Sequence, residues 1–175
     1  MTPRLEVERP PVADDEGDGG PGTVSGWFPA LGVIFAVAGV GASSYLTAAH
    51  YTSTSILACS GSGAINCAKV TTSPQSMLVG IPIALLGLVW FLAMVVLNLP
   101  AAWRSALPAV TVTRLVLAVG GMGFVLYLIS AELLSIKAIC LWCTTVHVLT
   151  FALFVLTLAG TSRLGLTEAS RRVAR

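Results

Sequence analysis

Residues 138–159 read AICLWCTTVHVLTFALFVLTLA, twenty-two residues without a single Asp, Glu, Lys or Arg. A bilayer core of about 30 Å is crossed by about 20 consecutive apolar residues in a helix. This segment has that length, and it begins with a Cys-x-x-Cys motif, Cys140 and Cys143. Two thiols at the mouth of a spanning helix set the terms for the rest of the chain.

Three further apolar runs lie upstream, at about 27–48, 81–99 and 110–131. The chain of 175 residues is 55% hydrophobic and 10% charged, against roughly 25% charged in soluble domains. Between Gly19 and Ser162 the only charges are Lys69, Arg104, Arg114, Glu132 and Lys137. Such a sequence cannot coat a water-soluble globule. In lipid every backbone group must pair within its own segment or within a closed barrel, and period-two alternation is absent, so helices are expected. The expectation is an all-α integral membrane protein, a four-transmembrane-helix bundle with a long loop between its first and second helices.

Boundaries come from breakers and charges. Gly80-Ile81-Pro82 opens the second span, where proline is tolerated in the first turn. Pro100 and Pro108 bracket a short loop, and Glu132 to Lys137 form a tight connection whose acid faces water at the rim. Arg114 is expected to snorkel to the interface, since at mid-bilayer it would cost about 3 kcal/mol. Gly120, Gly121 and Gly123 are expected to let helices approach closely. Residues 1–25, rich in Pro, Gly, Asp and Glu, are expected to form a disordered tail, with no basic leader of the kind a signal peptide carries. Residues 161–175 form a basic tail.

With four spans, both tails share one side with the loop holding Arg104. That side carries eight of the ten basic residues and the other carries Lys69 and Lys137. Positive residues collect on the cytoplasmic side. Both termini are therefore expected in the cytoplasm of a multi-pass plasma-membrane protein, with the long loop outside.

The four cysteines then converge. Cys59 and Cys67 lie in the outer loop around Ser-Gly-Ser-Gly-Ala-Ile-Asn, and Cys140 and Cys143 open the fourth span on the same face, where disulfides persist. A helix N-terminus stabilises a thiolate, and a low thiol pKa makes a disulfide more oxidising. An electron shuttle from one pair to the other is one reading. Two structural disulfides clamping the loop of a non-enzymatic membrane protein is another. A Cys₄ zinc site fits thiolate coordination but not an oxidising compartment, so no metal is expected. Ser73 stands before Pro74 as a candidate cap of a short helix, and Asn66 as a turn residue. His147 shares a helical face with Cys143, and Trp142 sits at interface depth.

The cysteine pair after the first span, a serine six residues beyond its second member, and Cys-x-x-Cys opening the fourth span resemble the vitamin K epoxide reductase family. Here these are Cys59, Cys67, Ser73, Cys140 and Cys143, joined by Gly80-Ile81-Pro82 and Thr144-Thr145, over about residues 27–160. The resemblance implies a helical bundle around a quinone, menaquinone or ubiquinone, as electron acceptor. It implies that Cys59 takes electrons from a thioredoxin-like (DsbA-like) exported protein, that Cys59 and Cys67 pass them to Cys140 and Cys143, and that Cys143 faces the quinone with Ser73 near its ring. His147 and Trp142 are further candidates for that pocket. His147 stands where vertebrate members carry tyrosine. Bacterial members often carry a fused thioredoxin-like domain, so here that partner is expected to act in trans. No nucleic-acid partner is expected. The nearest alternative is a vitamin K epoxide or quinone reductase driven by dithiols.

Overall fold

The computed structural model describes residues 26–53, 56–59, 64–105 and 107–173. The expected disordered tail, 1–25, lies outside the described residues.

Helix α1 runs Trp27–Tyr51. A short helix α2, Cys67–Thr71, follows in the long connection, then a 3₁₀ turn at Pro74–Ser76. Strands β1 (Met77–Leu78) and β2 (Ile81–Pro82) form a two-residue hairpin. Val79 and Gly80 both take positive φ at its tip, 52° and 83°, the conformation that a tight hairpin turn requires. Helix α3 spans Ile83–Asn98, α4 Pro100–Arg104, α5 Pro108–Ser130 and α6 Leu141–Val173. A π-helical turn, Ala131–Ile136, extends α5.

Three of these segments, Trp27–Tyr51, Pro108–Ile136 and Leu141–Arg163, are long and apolar enough to cross a membrane; α3 is a shorter apolar helix of 16 residues. The protein is thus a mostly helical one with the composition of a membrane protein. Helix α1 packs against α3 and α6, and α6 against α5, while α3 and α5 touch only lightly. That light contact leaves room between them, and the room becomes the cavity described below.

The core is made of close approaches. Ala36, Phe91, Met94, Ala118 and Leu153 are buried together at the middle of the four helices. The Phe91 ring fills the space over Gly39 that any side chain would need. A Cβ at Gly121 would stand 2.6 Å from the Trp90 ring, whose Nε1–H donates to the Leu117 carbonyl at 3.0 Å. Gly120 and Gly123 face open space, so of the three glycines only Gly121 serves close packing.

Two helix bounds are drawn more closely, and the expectations for Arg114 and Glu132 need correction. The second helix starts at Ile83, because Ile81 and Pro82 are held in the hairpin. Helix α6 continues from the expected end of its span through to Val173, since nothing after Gly160 in that stretch is a proline that would stop a helix. Arg114 does not snorkel outward: it is 1% exposed. Its guanidinium lies 3.7 Å from the Trp103 ring and Nη2 donates to the Ala102 carbonyl at 3.2 Å, so α4 supplies the polar partner expected from solvent. Glu132 is not at a wet rim either, being only 7% exposed within the π-helical turn.

Candidate functional site

The long connection is tied down at both of its cysteines. Tyr45 on α1 holds the approach to Cys59: its hydroxyl donates to the Ile56 carbonyl and accepts from the Ala58 N–H at 3.1 Å. Asn66 caps α2, its Oδ1 accepting from the Lys69 N–H at 2.9 Å, which satisfies one of the donors a helix start leaves open. Cys67 is therefore the first residue of a capped helical turn, and it is 1% exposed. Cys59 and Cys67 form a disulfide, with Cα atoms 5.9 Å apart. Cys59 is the more exposed partner.

The second pair is positioned by the start of α6. The Cys140 carbonyl accepts from the Thr144 N–H and hydroxyl, both at 2.9 Å. Its sulfur accepts from the Cys143 N–H at 3.3 Å. Sulfur thus occupies the place of a capping oxygen, facing the positive end of the helix dipole. The Cys143 thiol also donates to Cys140, and this hydrogen bond, more than any other cause, holds the Cys140 pKa below the ordinary thiol value. Both residues are thiols here, Cys140 fully buried and Cys143 partly exposed.

One feature of the backbone brings the pairs together. Ile65 and Ile139 pair as a parallel β-bridge. The Asn66 N–H donates to the Ile139 carbonyl at 3.0 Å, and the Ile139 N–H donates to the Ala64 carbonyl at 2.8 Å. The chain just ahead of Cys67 is therefore laced to the chain just ahead of Cys140. Cys67 and Cys140 share one buried cluster with Leu46, Ala49, Leu57, Val70, Ile136 and Ala138, and Cys59 and Cys143 pack against it. All four sulfurs are collected at one end of the bundle.

Beneath them lies a cavity of about 480 Å³ between α3 and α5, within the usual size of small-molecule sites. Its walls are mainly apolar, with Trp90, Phe91 and Phe124 among them, and the polar groups that reach it include Ser73, Glu132, Cys143, His147 and Thr150. Ser73 is set there by its hydroxyl, which donates to the Val70 carbonyl at 2.7 Å, and it makes no side-chain cap to the 3₁₀ turn that follows. His147 is buried one helical turn below Cys143. Trp142 does not border the cavity; it packs on Tyr45 with ring centroids 4.6 Å apart. Among the described residues there is no cluster of His, Cys, Asp and Glu able to hold a metal ion.

The structure thus defines a class: a helical protein of membrane composition that gathers two cysteine pairs on one buried cluster above a largely apolar cavity. Residues 30–158, well over half of the chain, match the vitamin K epoxide reductase family, and the chain belongs to that family. No curated protein matches it. Membership makes it a thiol-dependent oxidoreductase acting on quinone-type or vitamin K epoxide substrates.

Two features of this site were not anticipated from sequence. The Ile65–Ile139 bridge joins residues with no motif of their own. Glu132 carried a signal that was legible, a lone acid in an apolar stretch, which in a membrane marks function more often than surface.

Proposed function

We propose that the protein is a membrane thiol:quinone oxidoreductase that reoxidises a thioredoxin-like (DsbA-like) extracytoplasmic protein acting in trans and so sustains disulfide formation in exported proteins. In this reading α3 is a fourth crossing, about 24 Å long at 1.5 Å per residue. Both termini face the cytoplasm, and the cysteine end faces outward in the plasma membrane, menaquinone or ubiquinone being the acceptor.

The observation that carries the proposal is the gradient of access through the four sulfurs. Cys59 is the partly exposed member that a macromolecular partner can reach, Cys67 and Cys140 are buried in one cluster, and Cys143 borders the cavity. A partner dithiol attacks at Cys59, leaving oxidised partner and reduced Cys59 and Cys67. Cys67 then passes the electrons to an oxidised Cys140–Cys143 pair by thiol–disulfide exchange. The regenerated dithiol gives two electrons and two protons to the acceptor in the cavity. Cys143 borders the acceptor's space, and the capped Cys140 holds the thiolate that restores the S–S bond.

The cavity suits a quinone ring. Aromatic walls favour a flat apolar body, and Ser73, His147 and Thr150 are the polar contacts available to its oxygens. A bound quinone supplies the two-electron, two-proton sink that lies well above thiol couples in potential. Each 30 mV of that difference is worth about 1.4 kcal/mol for a two-electron couple.

The test is quinone-dependent oxidation of a reduced thioredoxin-like substrate by the purified protein in detergent or nanodiscs. Wild type is expected to turn over, Cys143→Ala to lose nearly all turnover, and a partner whose resolving cysteine is replaced by alanine to be trapped on Cys59 of the intact Cys59–Cys67 disulfide, with Cys67 as the leaving thiol. Turnover that survives in Cys143→Ala contradicts the assignment. If instead a vitamin K epoxide is consumed with dithiols while the protein substrate is ignored, the enzyme runs the alternative reaction of its family.

A further inference from the structure

A dithiol that reduces a quinone must lose two protons as well as two electrons. Cys140 is fully buried, and Cys143, though partly exposed, borders the apolar cavity, so an acceptor that fills the cavity leaves water poor access to the pair. Some group on the protein must accept each proton where it is released and surrender it where the acceptor needs it.

The geometry points to Glu132 as the proton-transfer residue between the Cys140–Cys143 dithiol and the cavity, an assignment that rests on the oxidoreductase reading above. Three observations carry it. Glu132 is buried, yet it borders the cavity together with Cys143 and His147. Glu132 also lies close enough to the second pair for its charge to act on both Cys140 and Cys143. Its position is built by an irregular backbone: Ala131–Ile136 is a π-helical turn, Lys137 takes a left-handed conformation (φ 53°), and the Lys137 and Ala138 N–H groups fold back onto the Glu132 carbonyl. Single-turn π-helices are uncommon and occur often at functional sites. This one turns the chain so that Cys140, eight residues on, lies against the acid.

A purely structural carboxylate is a poor alternative. Burying a charge without a cation is costly, and no salt bridge to Glu132 exists among the described residues. Lys69 on α2 and Lys137 are exposed. The other titratable groups bordering the same space are Cys143 and His147 on α6 and His50 on α1.

The balance is as follows. Two S–H bonds break and one S–S bond forms between Cys140 and Cys143. Two electrons go to the quinone. The two protons pass in turn through the Glu132 carboxylate and end as the two O–H bonds of the hydroquinone. Glu132 finishes in the state in which it began.

The experiment compares wild type, Glu132→Gln and Glu132→Asp in two assays on the full-length protein. The first is quinone-dependent thiol oxidation across pH. The second is the pH dependence of Cys140 alkylation by iodoacetamide in Cys59→Ala/Cys67→Ala backgrounds, which needs no turnover. General acid–base groups contribute about 10²–10⁴-fold, so Glu132→Gln is expected to slow turnover by about 100-fold and to remove a titration step from the profile. Glu132→Asp is expected to recover part of the rate. Alkylation of Cys140 in Glu132→Gln is expected to become faster at a given pH, because a negative neighbour is gone. Loss of turnover together with easier thiolate formation is a signature that simple misfolding does not produce. Unchanged turnover and an unchanged pH profile in Glu132→Gln overturn the inference while leaving the parent reading intact. A uniform loss at every pH with slower Cys140 alkylation, or with Glu132→Asp no better than Glu132→Gln, assigns Glu132 a structural role and also overturns it. A wild type without quinone-dependent thiol oxidation sinks both proposals.

Discussion

Replacing Ile139 by proline tests the link between the two cysteine pairs with little other disturbance. Proline has no N–H, so the bond from Ile139 to the Ala64 carbonyl at 2.8 Å is lost, while the Ile139 carbonyl can still accept from Asn66. A backbone hydrogen bond contributes about 1 kcal/mol net. Each such bond strengthens the equilibrium for the joined arrangement by roughly fivefold, because 1.4 kcal/mol is a factor of ten. The Ala64 carbonyl is at an exposed residue, so water can satisfy it and no larger penalty is added. Transfer from Cys59–Cys67 to Cys140–Cys143 should therefore slow by up to about fivefold, the factor by which the joining equilibrium weakens. Ile139→Ala keeps both hydrogen bonds and removes a side chain that is already 37% exposed, so it should transfer within about twofold of wild type. The assay is rapid mixing of oxidised protein with a dithiol in the absence of quinone, acid quench, alkylation and mass spectrometry of each pair. Equal transfer rates in Ile139→Pro and wild type would refute the idea that the bridge holds the relay together.

Other consequences follow from single contacts. Cys143→Ala removes the thiol that donates to Cys140; since that bond favours the thiolate, the pH midpoint of Cys140 alkylation should move up, and a midpoint that stays put or falls contradicts the capped-thiolate geometry. Tyr45→Phe removes both hydrogen bonds that hold the segment before Cys59; external dithiols should then reduce Cys59–Cys67 faster, read by timed alkylation, at a stability cost of about 1–2 kcal/mol. Gly39→Leu places a side chain where the Phe91 ring lies and should destabilise the helical core by about 1–3 kcal/mol in thermal melts in detergent. Ser73→Ala should raise KM for the quinone with little effect on the reduction of Cys59–Cys67 by dithiols, because Ser73 borders the cavity and not the outer pair.

Apolar length and the paucity of charge made a mostly helical chain of membrane composition legible, because lipid leaves such a chain few alternatives. The cysteine pairs were legible for the same reason: Cys-x-x-Cys at a helix start has a local chemical meaning that needs no tertiary information. What was hidden depends on side chains reaching across the fold. Arg114 is an arginine near a span end in sequence, and only Trp103, eleven residues earlier on α4, draws it inward. Glu132 sits where a rim residue would, and only the π-helical turn swings it inward. Trp142 has the composition of a pocket wall, but Tyr45 claims its face. The Ile65–Ile139 pairing uses backbone groups, which carry no sequence signature at all.

Contact between the inner sulfur of the first pair and the outer sulfur of the second is measured most directly in the Cys59→Ala/Cys143→Ala protein, where Cys67 and Cys140 are the only thiols left. The account predicts that they join into a disulfide under mild oxidation in the membrane, seen as one cross-linked peptide pair and no alkylated cysteine. Two separately alkylated peptides after the same oxidation, in protein that remains folded, would contradict it.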